Sequence, residues 1–343
     1  MGIVFAGNFL DHDVIMDKKN RIFVVIGNQH PPNAVFAYLK YVPVNHPTPW
    51  KLDGSWFRRV LTEYSAEAVR TVTEEYLLME KDPVFDAIMP KIRRDEIWKI
   101  FKPRERFTQI QKKARDYLEL LLLEAVDRLR DSCSIPSGAI GVGGSILVGM
   151  HNPSVSDINL IIYGCKPTLD IALCEDLGLD RLNPVTLSER VVRHSRRTGL
   201  SPDTLLRIQP HFRNLELKGR PLGISFVKTI SERYGERVLK QMGQVEVIAE
   251  VEGGECYSLT YPSRASVVRV KKIIGKSPSI TEEPLRMKEE ITEILSFDSI
   301  FSYALFRGGE VRIKGVLERV SPDGTYLILV GGYGERSYVV PVS

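Results

Sequence analysis

Apolar residues follow two rhythms along this chain, and the changes between them divide it into parts. Up to about residue 80 they fall in short runs rich in β-branched and aromatic side chains. Residues 21–27 (RIFVVIG) and 35–42 (VFAYLKYV) read as strands. The turn formers of NQHPPN (28–33) separate them, and DKKN (17–20) reads as another turn. Residues 63–79 fit a helix, or a helix followed by a strand. From 82 the rhythm is helical. Asp82-Pro83 suits a helix start, Trp98 is expected to pack, and Pro103 interrupts. A second helix is expected from about 104 to 130, where Ile110, Ala114, Tyr117, Leu118, Leu121, Leu122, Ala125, Val126 and Leu129 keep helical spacing.

Short elements then alternate. A strand at 139–142 leads into a glycine turn at 143–145, a helical turn at 146–150 and a polar loop at 151–156. The apolar run 157–163 is a buried strand. Helices are expected near 168–177 and 186–198, then a hairpin of 213–217 and 222–228 around a turn at 218–220. After 243 strands return at 245–251, 267–274, 311–320 and 326–330, with 276–286 as a long loop. Strands so short and evenly spaced suggest a small barrel. Phe297, Phe301, Tyr303, Phe306, Tyr326 and Tyr333 read first as its core and second as platforms for stacking bases. The expected fold class is α/β (α+β). A central mixed-sheet domain with a helical lead-in (81–242) is flanked by a β-rich N-terminal domain (1–80) and a small C-terminal β-barrel (243–343).

Composition narrows the setting. A chain of 343 residues exceeds one typical core. With 43% hydrophobic and 26% charged residues it has a globular balance. No run approaches the ~20 apolar residues of a membrane span, and MGIVFAGNFLDHD does not read as a secretory signal. The 4 cysteines (Cys133, Cys165, Cys174, Cys256) form no CxxC. Neither a disulfide framework nor a zinc site is therefore expected, and the expected compartment is the reducing cytoplasm. The net charge of +4 says little, but its distribution says more. Residues 189–220 hold eight Lys/Arg against three acids. Arg190, Arg193, Arg196 and Arg197 would make a basic face for a triphosphate or a nucleic acid, or a merely solvated helix face.

The chemistry concentrates in residues 141–163, GVGGSILVGMHNPSVSDINLIIY. A strand ends in Gly-Gly-Ser where a helical turn begins. Glycine admits close approach to the backbone, and the free N–H groups of a helix start, with the Ser145 hydroxyl, suit a phosphate. Asp157 opens the next strand. Asp157 and Asn159, two apart, face one side, while Ile158 and Leu160 point into the core. An acid beside a phosphate cradle is a place for Mg²⁺.

Gly144-Ser145 followed by Ser156-Asp157-Ile158-Asn159-Leu160 resembles the signature of the DNA polymerase beta-like nucleotidyltransferase superfamily. The β-rich start, Lys102–Glu105 (KPRE) and Gly309–Val320 (GEVRIKGVLERV) are similar to archaeal predicted nucleotidyltransferases of this size. The resemblance implies Gly144 and Ser145 on the triphosphate tail of a nucleoside triphosphate. It implies two carboxylates of a D-x-D and a third acid on a later strand around two Mg²⁺ (or Mn²⁺) ions, and transfer of a nucleoside monophosphate to a hydroxyl. Two positions depart from that pattern. Asn159 stands where the second acid belongs, and Gly223 where the third does. Glu216 is the nearest substitute in sequence as a metal ligand, with Glu246 and Glu250 as weaker ones. The expectation is a metal-dependent, weakened nucleotidyltransferase. The alternative is a degenerate relative that binds nucleotide or nucleic acid or acts as a scaffold.

Overall fold

The computed structural model describes residues 7–77, 79–332 and 336–342. The chain packs as two units, each gathered from three separate stretches. The first takes Met1–Glu63, Pro90–Leu187 and Pro210–Glu232, and the second Tyr64–Met89, Ser188–Gln209 and Arg233–Ser343. In chain order, β1 (Val14–Asp17), β2 (Ile22–Val25), β3 (Ala34–Val44), β4 (Trp50–Leu52) and β5 (Ser55–Arg59) begin the first unit. Helix α1 (Ala66–Tyr76) and the short strands β6 (Lys81–Asp82) and β7 (Ala87–Ile88) go to the second. The first unit resumes with β8 (Lys91–Arg93), β9 (Ile97–Phe101), α2 (Pro103–Lys112), α3 (Tyr117–Cys133), β10 (Ile140–Val142), α4 (Gly144–Val148), β11 (Ile158–Tyr163), α5 (Cys165–Ala172) and β12 (Asp180–Arg181). Helix α6 (Pro184–Thr198) straddles the division, and α7 (Pro202–Arg207) lies in the second unit. Strands β13 (Leu215–Leu217) and β14 (Arg220–Val227) complete the first. The rest is the second: β15 (Val238–Val251), β16 (Ser263–Lys276), α8 (Pro284–Glu290), β17 (Ile291–Ser296), α9 (Ser302–Arg307), β18 (Gly309–Ser321), β19 (Tyr326–Val330) and β20 (Tyr338–Pro341). The architecture is mixed α/β. The three consecutive domains expected from the pattern of elements differ from this interleaved division, because the order of elements along the chain does not reveal which distant stretches pack together.

The first unit holds two sheets. The antiparallel one runs β4-β5-β3-β2-β1-β9, with β8 on β3. Its β1–β2 turn is the DKKN segment, where Asp17 Oδ1 accepts from Lys19 N (2.9 Å) and Arg21 N (2.7 Å). The mixed sheet runs β10-β11-β14-β13-β12. Here β11 is antiparallel to β10 and parallel to β14, and β13 and β14 form the expected hairpin. Lys218 (φ +50°) and Gly219 (φ +74°) turn it. Two left-handed residues match the right-handed twist of the flanking strands. Helix α4 joins the two sheets. Its Leu147 and Val148, with Met150 just beyond, are buried in one cluster with Val14, Met16, Ile22, Val24, Tyr41 and Phe57 of the antiparallel sheet.

In the second unit the path β15-β16-β17-β19-β18 closes on itself through β15–β18 pairing, and β20 adds to β18. Phe301, Phe306 and Tyr326 are buried, as core-filling aromatics would be. Tyr333 lies outside the described residues. No helix among the described residues is long and apolar enough to cross a membrane.

Several local expectations are corrected. Residues 82–102 are not a helix but the strands β6 to β9 and their turns. Asp82 does not cap a helix. Its Oδ1 accepts from Val84 N (3.0 Å) and Phe85 N (3.1 Å), which makes a turn. Trp98 is 64% exposed on β9, an end strand of its sheet, so it does not pack as expected. The 104–130 helix is two helices, because Asp116 caps the second by accepting from Glu119 N (3.0 Å). The 276–286 loop contains the start of α8. Cys133 and Cys174 form a disulfide, Cα–Cα 5.7 Å, contrary to the expectation of none. Spacing along the chain could not reveal a pair 41 residues apart.

Candidate functional site

The site sits where β10 passes into α4, beside the start of β11. Gly143 N donates to Asn159 O (2.8 Å), fixing the turn against β11. Gly144 then adopts φ +65°. A Cβ there would lie 2.8 Å from Asn159 Nδ2. Gly144→Ala is therefore expected to cost about 1–2 kcal/mol for the left-handed backbone alone, read as a lower urea midpoint. An unchanged midpoint would mean the turn is not held as described. Helix α4 is a single short turn ended by Gly149 (φ +81°), whose N–H donates to Ser145 O (3.0 Å).

Ser145 is buried, and its Oγ donates to Ser156 Oγ (3.2 Å), which also accepts from Asn152 N (3.0 Å). The hydroxyl hydrogen thus fastens the turn to the loop before β11. The first-turn N–H groups of Gly144 and Ser145 have no intrahelical acceptor. Ser156 escaped the reading of candidate residues, although it stands in the same motif.

Strand β11 has the alternation read from its sequence. Ile158 and Leu160 are fully buried, Asp157 is exposed and Asn159 half-buried. Asn159 Nδ2 donates to Asp157 Oδ1 (3.1 Å), so both side chains lie on one face. Across the parallel ladder Asn159 pairs with Gly223. A Cβ on Gly223 would lie 3.3 Å from Asn159 Oδ1. The Asn159 amide therefore occupies a slot between two glycines, one from α4 and one from β14. The two positions where the resemblance expects acids are direct neighbours. One holds an amide, and the other holds the space that amide uses.

Glu216 is one strand further out on β13, opposite Pro221, and its Oε2 accepts from Asn183 N (3.0 Å). That carboxylate serves the chain entering α6. Glu246 and Glu250 belong to the second unit, where Glu246 accepts from Arg312 and Tyr338 (each 2.6 Å) and Glu250 from Arg269 (2.8 Å). Among the described residues no group of three or more His, Cys, Asp or Glu is placed to hold a metal ion. The donor set around Asp157 does not fit a two-ion centre. It offers one carboxylate, one oxygen of which already accepts an amide hydrogen. Of the basic face, Arg197 is mostly buried and bonds Asp298 through both Nη atoms (2.7 and 3.1 Å). Arg190 is half-buried, and Arg193 and Arg196 are exposed. Arg190 to Arg197 belong to the second unit and Asp157 to the first.

The segment from Lys102 to Arg106 (KPRER) supports the site from behind. Lys102 Nζ donates to Asp13 (2.6 Å) and Asn8 O (3.0 Å). The Arg104 guanidinium lies 4.0 Å from the centre of the Tyr163 ring. Pro103 packs so closely on β10 that a Cβ at Gly141 would be 2.7 Å from its own. Arg106 Nε donates to Ile146 O (3.1 Å) in α4, while its Nη2 donates to Glu119, which is wholly buried. Glu119 Oε2 also accepts from Arg115 N (2.7 Å), and His151, just past α4, bonds Asp116 (2.8 Å). Alternate basic residues of one short stretch thus anchor α4, β11 and the segment leading into β1. Arg106 was not singled out from sequence. Its only signal there was the spacing of two between Lys102, Arg104 and Arg106.

No family model matches the chain, and no solved structure matches it. Among curated proteins it is similar to an uncharacterized protein of Methanocaldococcus jannaschii, MJ1086, with 23% identity over 336 residues and 90% of each chain covered.

Proposed function

We propose that the first unit is a nucleotidyltransferase-like domain that binds a nucleoside triphosphate and has lost efficient transfer. The observation that carries this reading is the Asn159 amide, bonded to Asp157 and seated against Gly223. Transfer by this superfamily's chemistry asks for several carboxylates around two Mg²⁺ ions. Here one carboxylate, Asp157, is linked through the Asn159 amide to the turn that carries the backbone N–H groups of Gly144 and Ser145. Those groups suit the tail of a phosphate chain, and a single acid suits a cation that arrives with it.

Titration calorimetry with each of the four common triphosphates, with and without Mg²⁺, tests the reading alongside incorporation of labelled nucleotide. Binding is expected to need Mg²⁺ and to weaken at least about tenfold in Asp157→Ala, a loss of roughly 1.4 kcal/mol. No incorporation above buffer is expected. Binding that ignores Asp157→Ala would sink the site. Incorporation that depends on Asp157 would instead establish a weak, metal-dependent transferase. That second reading is supported by the left-handed Gly144 turn next to Ser145 and by Asp157 on the same face as Asn159.

A further inference from the structure

Glu318 is a buried acid that the proposed site does not use. It lies on β18 in the second unit, wholly buried, and among the described residues neither carboxyl oxygen has a hydrogen-bond partner. Its neighbours on the same face of β18, Val316 and Val320, join an apolar cluster with Leu239, Leu295, Leu327, Leu329, Phe85 and Phe297. Along the ladders it pairs with Gln241 of β15 and Leu327 of β19.

Over this cluster runs the β6–β7 ribbon, Lys81 to Ile88. Among the described residues its two strands pair with each other and with no other strand, through Lys81↔Ile88 and Asp82↔Ala87. A two-stranded ribbon is marginal unless something holds it down. Here the ties come from the barrel and the segment before it. Leu239 N donates to Val84 O (2.7 Å), Gln241 N donates to Asp86 Oδ2 (3.1 Å), and Tyr234 Oη donates to Asp82 Oδ2 (2.7 Å). Phe85 meets Phe297 edge to face, with ring centres 6.5 Å apart. The amide that takes Asp86 belongs to Gln241, the ladder partner of Glu318.

We propose that the 81–88 ribbon is a proton-controlled strap: it lies closed over a neutral Glu318 and lifts when Glu318 ionises. The charged groups facing Glu318 are Asp86 and Lys81, both from the strap, and Asp86 is in turn faced by Lys240. Burial, with the Asp86 charge adding to it and Lys81 opposing, pushes the Glu318 carboxyl up to about 8. Asp86 stays ionised. Burial opposes its charge, but hydrogen bonds from Lys81 and Gln241 N hold its carboxyl below the usual range. An ionised Glu318 would be a second carboxylate in the same apolar place, without a donor. Lifting the strap admits water to it.

The sign follows from linkage. The closed state holds a proton that the open state releases once the pH exceeds the ordinary glutamate value of 4.5. Closure is thus strongest below that value and weakens as the pH rises. The opening constant should climb about tenfold per pH unit and level off above about 8. Hydrogen exchange by mass spectrometry on the full chain between pH 5 and 9, corrected for the intrinsic pH dependence of exchange, reads this directly. Peptides covering 81–89 are expected to lose protection along that curve while β18 and β19 keep theirs. In Glu318→Gln the strap should stay protected at every pH. Three results would each overturn the proposal: protection of 81–89 that does not change with pH, a pH response that persists in Glu318→Gln, or loss of protection by strap and barrel strands together.

Discussion

Arg106→Ala is expected to destabilise the first unit by about 3–5 kcal/mol, because it leaves Glu119 buried without its cation. Arg106 and Glu119 are both almost fully shielded from water, and among the described residues no other side-chain cation lies as close to Glu119. The loss should reach the site as well, since Arg106 Nε also holds Ile146 O in α4. All 3 tryptophans, Trp50, Trp56 and Trp98, belong to the first unit, so tryptophan fluorescence during urea unfolding reports on this unit alone. Replacing the pair together, Arg106→Met with Glu119→Leu, should recover most of the stability, because no lone charge is left behind. If the single and double variants unfold at the same urea concentration, the ion pair is not what holds the turn.

Removing the Cys133–Cys174 disulfide by paired alanine substitutions should cost about 2–4 kcal/mol, chiefly by freeing the unfolded chain. The bond ties the last residue of α3 to the segment between α5 and β12 across 41 positions. Closing a loop of that length in the unfolded state has an entropic cost that the disulfide has already met. Tryptophan fluorescence again gives the readout, with the cysteine-intact protein under non-reducing conditions as the reference. Equal midpoints for the two proteins would remove the disulfide from the account of stability.

The parts of this molecule visible in its sequence are those set by neighbours along the chain. The alternation of Asp157, Ile158, Asn159 and Leu160 declares a strand with one polar edge, and the strand has it. Lys218-Gly219 between two apolar runs declares a tight hairpin, and both residues are left-handed. What could not be read depends on partners far away. Nothing local says that Gly223 lies beside Asn159, because parallel strands take their register from the whole crossover between them. Glu216 reads in sequence as an available ligand, but its Oε2 accepts from Asn183 N, 33 residues away. Asp82-Pro83 has the same letters whether it starts a helix or a turn. The choice fell to the turn because Asp82 Oδ1 takes two amides at once and Tyr234 takes its other oxygen. Glu318 was hidden within a run that otherwise reads as an ordinary barrel strand.

The interleaving of the two units bears on how this protein is made. A nascent chain emerging from the ribosome cannot finish the first unit until β14 has left the exit tunnel, by which time α1, the strap and α7 are already outside with no barrel to receive them. Those early pieces must wait, unclaimed, for the last hundred or so residues, so synthesis passes through a long interval in which half the molecule is foldable and the other half is not. A truncation at 242, the boundary that the pattern of strands suggests, would stall the protein permanently in that interval.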